Sequence, residues 1–160
     1  MQIQEEQLHK VKAFFHKGEN IPDDLLVKDW EITYKALYQG EIVLTNLTGA
    51  SLCPHHMLPI YYKANLIYKP RKDKIIGSSK PYKVFSLVCA TPLMQEEVTQ
   101  KFTDLFIKTV KPESFAFVVK GSLTCFSKDG VDFHNSNVIT NASYGKDKEW
   151  FLERLSKYEL

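Results

Sequence analysis

The chain has 160 residues, 44% hydrophobic and 25% charged, which suits one domain with a real core and excludes a disordered protein. Its 21 Lys and Arg against 19 Asp and Glu leave a net charge of +2, too balanced for a nucleic-acid binder. No apolar run approaches the ~18–20 residues of a membrane span. The opening segment MQIQEEQLHKVKAFF is too polar for a secretory signal. Three cysteines, Cys53, Cys89 and Cys125, do not form a disulfide framework and fit a reducing, cytoplasmic setting.

In chain order, Ile3, Leu8, Val11, Phe14 and Phe15 fall at helical spacing. They predict a short N-terminal helical segment over 1–22, broken by Gly18 and Pro22. Residues 23–160 then read as one domain. Trp30 to Thr48 is rich in β-branched and aromatic residues with one break at Gly40, predicting a hairpin or two strands. β character continues through MLPIYYKANLIYK and ends at the polar turn PRKDK. Lys80–Ala90 reads as a helix with Pro81 in its first turn. A second helix runs from about Pro92 to Val110, with Val98, Phe102, Leu105, Phe106 and Val110 on one face. SFAFVVKGSLTCFSK and VDFHNSNVITNAS predict two further strands, and KDKEWFLERLSKYEL a closing helix. Antiparallel hairpins with a helical pair inserted between them make an α+β fold. Its open edges and exposed face favour self-association.

SLCPHH, Ser51 to His56, concentrates metal-ligand chemistry. Cys53 and His56 form a Cys-x-x-His pair, a spacing that converges two side chains across a tight turn. Catalytic zinc sites use three protein ligands and leave a fourth position open, and Cys125, on a distant strand, is a candidate third. The alternative for a free cysteine on an apolar strand is a place in the core. That alternative stays open for Cys125, and it is the assignment made for Cys89.

SLCPHH resembles the Cys-Glu-His-His zinc motif of the GTP cyclohydrolase I family. IIGSSK (Ile75 to Lys80), MQEEVT (Met94 to Thr99), SLTC (Ser122 to Cys125) and DGVDFHNSNVIT are similar to that family's later motifs in the same order. The resemblance covers roughly residues 42–157. It implies the tunnelling fold: an antiparallel sheet with two helices on one face, joined into a barrel in a homo-oligomer with active sites between subunits. It implies zinc held by Cys53, His56 and Cys125. It implies His55 as a proton carrier at the purine imidazole ring, and Glu96, with Gln95 beside it, as the anchor of the guanine N–H groups. Ser79, Lys80 and Lys83 align with the turn that holds phosphate oxygens. Lys83 stands where the family usually has Arg, keeping the charge without the bidentate fork.

The implied reaction is opening of the imidazole ring of a guanine nucleotide, of the type that converts GTP to dihydroneopterin triphosphate in pterin or 7-deazaguanine synthesis. Two positions depart from the pattern. Leu123 replaces a catalytic histidine, and Asp129 replaces a phosphate-binding arginine. Leu cannot carry a proton, and Asp repels phosphate, so both point to a shifted substrate. A related tunnelling-fold enzyme, the 7-cyano-7-deazaguanine reductase, offers a second reading, because SSKPYKVF partly resembles its motif and Cys53 would be its nucleophile. A third reading is a non-catalytic zinc protein that binds a purine or pterin.

Overall fold

The computed structural model describes residues 33–35, 38–71, 74–132 and 136–160. The helical segment expected over 1–22 lies outside these. Four strands, β2 (Ile42–Leu52), β3 (Pro59–Lys69), β5 (Ser114–Leu123) and β6 (Val138–Gly145), form an antiparallel sheet in the order β2-β3-β5-β6. Two short strands, β1 (Thr33–Lys35) and β4 (Lys74–Ile76), pair separately. The stretch around Gly40 is therefore two strands in different sheets, not a hairpin. Residues 42–52 have their alternating partner in β3 instead.

Helix α1 (Ser79–Cys89) and helix α2 (Gln95–Val110) lie between β4 and β5 in sequence. α2 begins three residues later than Pro92. Its start is set by a capping box, in which the Met94 backbone N–H donates to the Glu97 carboxylate at 2.9 Å. Period-2 alternation divides the sheet's two faces. Phe115, Phe117 and Val119 of β5 join Leu44, Leu47, Tyr62, Leu66 and Tyr68 in a core under α1 and α2. Phe102 of α2 closes on Phe117 at 4.5 Å between ring centroids, and Phe106 stacks on Phe115 at 4.7 Å. Ala116 and Ile67 face the other way, where Phe151 and Leu155 of helix α3 (Lys148–Leu155) cover them. The expected α+β sheet with two helices on one face is present, and the closing helix covers part of the opposite face. Among the described residues no helix is long and apolar enough to cross a membrane.

A β-bulge decides which face the end of β2 presents. Register shifts between Leu44 and Leu47, and Asn46 takes a left-handed φ of 58°, a conformation Asn tolerates better than most residues. Its backbone N–H donates to Asn65 Oδ1 at 2.9 Å. The extra residue flips the alternation, so Leu44 and Leu47 both face the helices. From there Gly49 lies under Cys89, and Ser51 Oγ donates to the Thr91 carbonyl at 3.0 Å. Cys53 is the next residue on that face.

Candidate functional site

The connection between β2 and β3 is a compact turn. The Met57 N–H donates to the Cys53 carbonyl and the Cys53 N–H to the Leu58 carbonyl, both at 2.8 Å. Met57 takes a φ of 54° to close it. This geometry brings Cys53 Sγ to 3.6 Å from His56 Nδ1. Cys125 arrives from the other side of β3. β5 pairs with β3 through Ile60 and Leu123, and the chain then turns into a 3-10 helix, Thr124–Asp129. Thr124 Oγ1 pins that turn by donating to the Pro59 carbonyl at 2.7 Å. Cys125 was expected on a strand. It sits instead in the first turn of this 3-10 helix, which swings its sulfur across the end of β3 toward Cys53.

The ligand atoms of Cys53, His56 and Cys125 all lie within 4.8 Å of one another. A tetrahedral zinc ion with Zn–S of ~2.3 Å and Zn–N of ~2.0 Å needs its ligand atoms about 3.5–3.8 Å apart. The Cys53–His56 separation already meets this, and the remainder is within reach of side-chain torsions. Both cysteines are buried and His56 is exposed, so a centre here would be open on its histidine side, as a catalytic one must be. Burial, then the adjacent Cys53 thiol, then the Asp129 carboxylate hold the Cys125 thiol above its ordinary range. Two thiols crowded together resist ionising, and a divalent cation reverses that preference. The donor set fits zinc.

The other expected residues divide into two groups. His55 is exposed on the same turn, its ring centroid 6.2 Å from that of His56. Glu96 is exposed in the first turn of α2, while Gln95 beside it is buried. Gln95 Nε2 donates to the carbonyls of Val119 (3.3 Å) and Val138 (3.0 Å) and to Thr140 Oγ1 (3.1 Å). Gln95 thus ties α2 to β5 and β6. These residues share the sheet end that carries the triad. Ser79, Lys80 and Lys83 do not. They occupy the start of α1, where Tyr82 donates to the Thr45 carbonyl at 2.8 Å. Thr45 to Cys53 is roughly 25 Å of extended chain. Within one chain, Ser79, Lys80 and Lys83 and the triad stand at opposite ends of β2. Leu123 is half-buried against the core, and Asp129 is exposed at the end of the 3-10 helix.

Sequence reasoning left out the bulge at Asn46 and the buried Tyr62. The only cue to the bulge is an Asn within a strand pattern. No spacing rule marks Tyr62.

A family model described as GTP cyclohydrolase I matches residues 6–155. The chain belongs to the GTP cyclohydrolase I family. Among its relatives, GTP cyclohydrolase 1 of Streptococcus pyogenes serotype M18 (strain MGAS8232) is 24% identical over 127 residues, covering 79% of this chain and 66% of that protein. GTP cyclohydrolase 1 of Caldanaerobacter subterraneus subsp. tengcongensis is 31% identical over 108 residues, 68% of this chain and 57% of that protein. The chain thus spans just under two thirds of the length of the first of these relatives. Two solved structures share its fold. The archaeosine synthase QueF-Like in the apo form superposes with a TM-score of 0.53 at 17% identity, covering 66% of this chain and 94% of that one. A putative dihydroneopterin aldolase (FolB) from Vibrio cholerae O1 biovar El Tor does so at 0.50 and 8% identity, covering 69% and 100%. Both likenesses describe a four-stranded antiparallel sheet packed with helices, the tunnelling-type α+β architecture.

Proposed function

We propose that this family member is a zinc-dependent cyclohydrolase that opens the imidazole ring of a guanine nucleotide, in the reducing cytoplasm. The observation that carries the reading is the convergence of Cys53, His56 and Cys125 beside an exposed His55 in a GTP cyclohydrolase I family chain. Zinc, when bound, supplies a water nucleophile at neutral pH and stabilises developing negative charge. His55 holds or delivers a proton at the ring nitrogen. Glu96 accepts hydrogen bonds from the guanine N–H groups at the positive end of α2. Ser79, Lys80 and Lys83 bind phosphate oxygens, and Asp129 disfavours a long polyphosphate.

The roughly 25 Å of β2 that separates those phosphate residues from the triad supports active sites shared between subunits. Phosphate residues of one chain then serve the triad of another. Tyr61 and Ile139, 57% and 62% exposed, supply apolar surface suited to burial in a homo-oligomer. The test is zinc analysis of purified protein, followed by assay of formate release and of fluorescent pterin after oxidation, with GTP, GDP, GMP and guanosine. We expect about one zinc per chain, its loss in Cys53→Ser and Cys125→Ser, and turnover of at least one nucleotide. Zinc without turnover of any of the four favours the non-catalytic reading, a zinc-containing purine- or pterin-binding protein, to which the apolar Leu123 is suited.

A further inference from the structure

We propose that the sheet face turned away from α1 and α2 carries a phosphate-binding site, built by Lys63 and Lys120 with Thr48, over which residues Glu159 and Leu160 lie as a cover. Cys53 and Cys125 belong to the core on the helix side, so the inference does not rest on the zinc reading. Lys63 of β3 and Lys120 of β5 are direct cross-strand partners, and Thr48 of β2 pairs with Lys63 from the other side. All three side chains point away from the helices, because the neighbouring Leu47, Tyr62, Ala64 and Val119 lie in the helix-side core. Directly opposed residues stand with Cβ atoms ~4.5–5.5 Å apart, and like charges so placed destabilise a sheet. Nothing in the sheet offsets them. β2, β3, β5 and β6 contain no Asp or Glu, and their three lysines, Lys63, Lys69 and Lys120, share this one face. Lys69 has a counter-charge in Glu113, at 3.4 Å just beyond the strands.

What reaches the other two is the segment after α3. Phe151 and Leu155 cover Ile67 and Ala116, and the chain continues along the same face. The buried Asn65 donates from Nδ2 to the Glu159 carbonyl at 3.4 Å, and Lys120 Nζ donates to the main-chain oxygen of Leu160 at 2.8 Å. An oxygen acceptor thus already sits on Lys120, with the exposed Lys63 opposite. Ile139 pairs with Lys120, and Tyr61 lies two residues from Lys63 on the same face. Burying those two apolar side chains against another copy would draw the lysines into the contact, where a charge needs a partner. The same face of a second copy supplies only more lysine. A phosphoryl group answers that need. It carries nearly two negative charges, matching two opposed ammonium groups where a carboxylate matches one. Lysine binds phosphate as a point charge, and the Thr48 hydroxyl adds a neutral donor. Binding exchanges the Leu160 oxygen on Lys120 for a phosphate oxygen and releases the cover.

The test is equilibrium dialysis of the full chain against radiolabelled inorganic phosphate at fixed ionic strength, with labelled GMP as a second arm. Lys63→Gln and Lys120→Gln are each expected to weaken phosphate binding about 10–100-fold, the loss of one charge-assisted hydrogen bond. The same loss is expected in a Lys80→Gln background, which removes a phosphate residue proposed on α1 and so tells the two places apart. A chain ending at Lys157 is expected to bind phosphate more tightly, because Lys120 is released. If Lys63→Gln weakens GMP as much as phosphate, the phosphoryl group is that of a nucleotide; if it weakens phosphate alone, the ligand is the free anion. Phosphate affinity unchanged by both lysine substitutions, or abolished by Lys80→Gln alone, overturns the inference. So does a Lys63→Gln chain that changes oligomeric size in gel filtration while keeping its phosphate affinity, which makes the face a contact between copies. Affinity unaltered in the shortened chain overturns the role given to Glu159 and Leu160.

Discussion

Gly121→Ala tests how the sheet and α2 jointly build the candidate site. Gly121 is buried in β5, opposite Tyr62 and beneath Gln95. An added methyl would overlap Gln95 Oε1, lie 2.9 Å from its Cδ, and lie 3.2 Å from Leu123 Cδ1. Gln95 is flexible in principle, but its Nε2 is committed to three acceptors in the same buried region. Moving the carboxamide breaks those bonds and strands the acceptors. Each hydrogen bond contributes ~0.5–1.5 kcal/mol, so the loss is about 2–4 kcal/mol. Exchanging Gly for Ala in a strand recovers ~0.5–1 kcal/mol, leaving a net cost of about 1–3 kcal/mol. In a chain of this size that lowers Tm by roughly 2–12 °C. The assay is thermal or urea unfolding of G121A, Q95A and the double variant. The added methyl should cost almost nothing once Gln95 is already truncated, so the two effects should not add. A Tm for G121A within 2 °C of wild type, or strict additivity, refutes this account of how Gln95 is held.

Leu123→His restores a proton carrier beside Cys125. We expect formate release from the best nucleotide to rise about 100-fold, the low end for general acid–base catalysis; a folded, zinc-loaded variant with unchanged turnover excludes that role. Asn46→Val places a β-branched residue at φ 58° and should cost ~1–2 kcal/mol, whereas Asn46→Gly should be nearly neutral. Equal melting temperatures for the two would remove the bulge argument. Tyr68 is 1% exposed, and burial pushes its hydroxyl up to about 12, against the pull of a hydrogen bond with the Ile76 backbone. A pKa raised on folding contributes stability that is complete below pH 10 and lost as pH rises toward 12, about 3 kcal/mol in all. Tyr68→Phe should flatten the alkaline decline in stability between pH 10 and 12, and an unchanged pH profile would reassign it.

The motif and the elements were legible in the sequence because each is a local statement. Cys53 and His56 are three residues apart, and any tight turn brings them together. The amphipathic face of Val98, Phe102, Leu105, Phe106 and Val110 writes α2 directly, and the α+β order follows from counting such segments. What only the tertiary structure decided depends on register between distant strands. The bulge at Asn46 sets the face from which Cys53 points. The 3-10 turn pinned by Thr124 to Pro59 carries Cys125 across β3. The Gly49–Tyr62–Gly121 alignment leaves a buried phenol with no partner among the described residues. None of these is readable from one segment, because each joins residues tens of positions apart whose pairing is fixed by which faces must be buried together. Sequence thus supplied the candidate ligands, and packing decided how they meet.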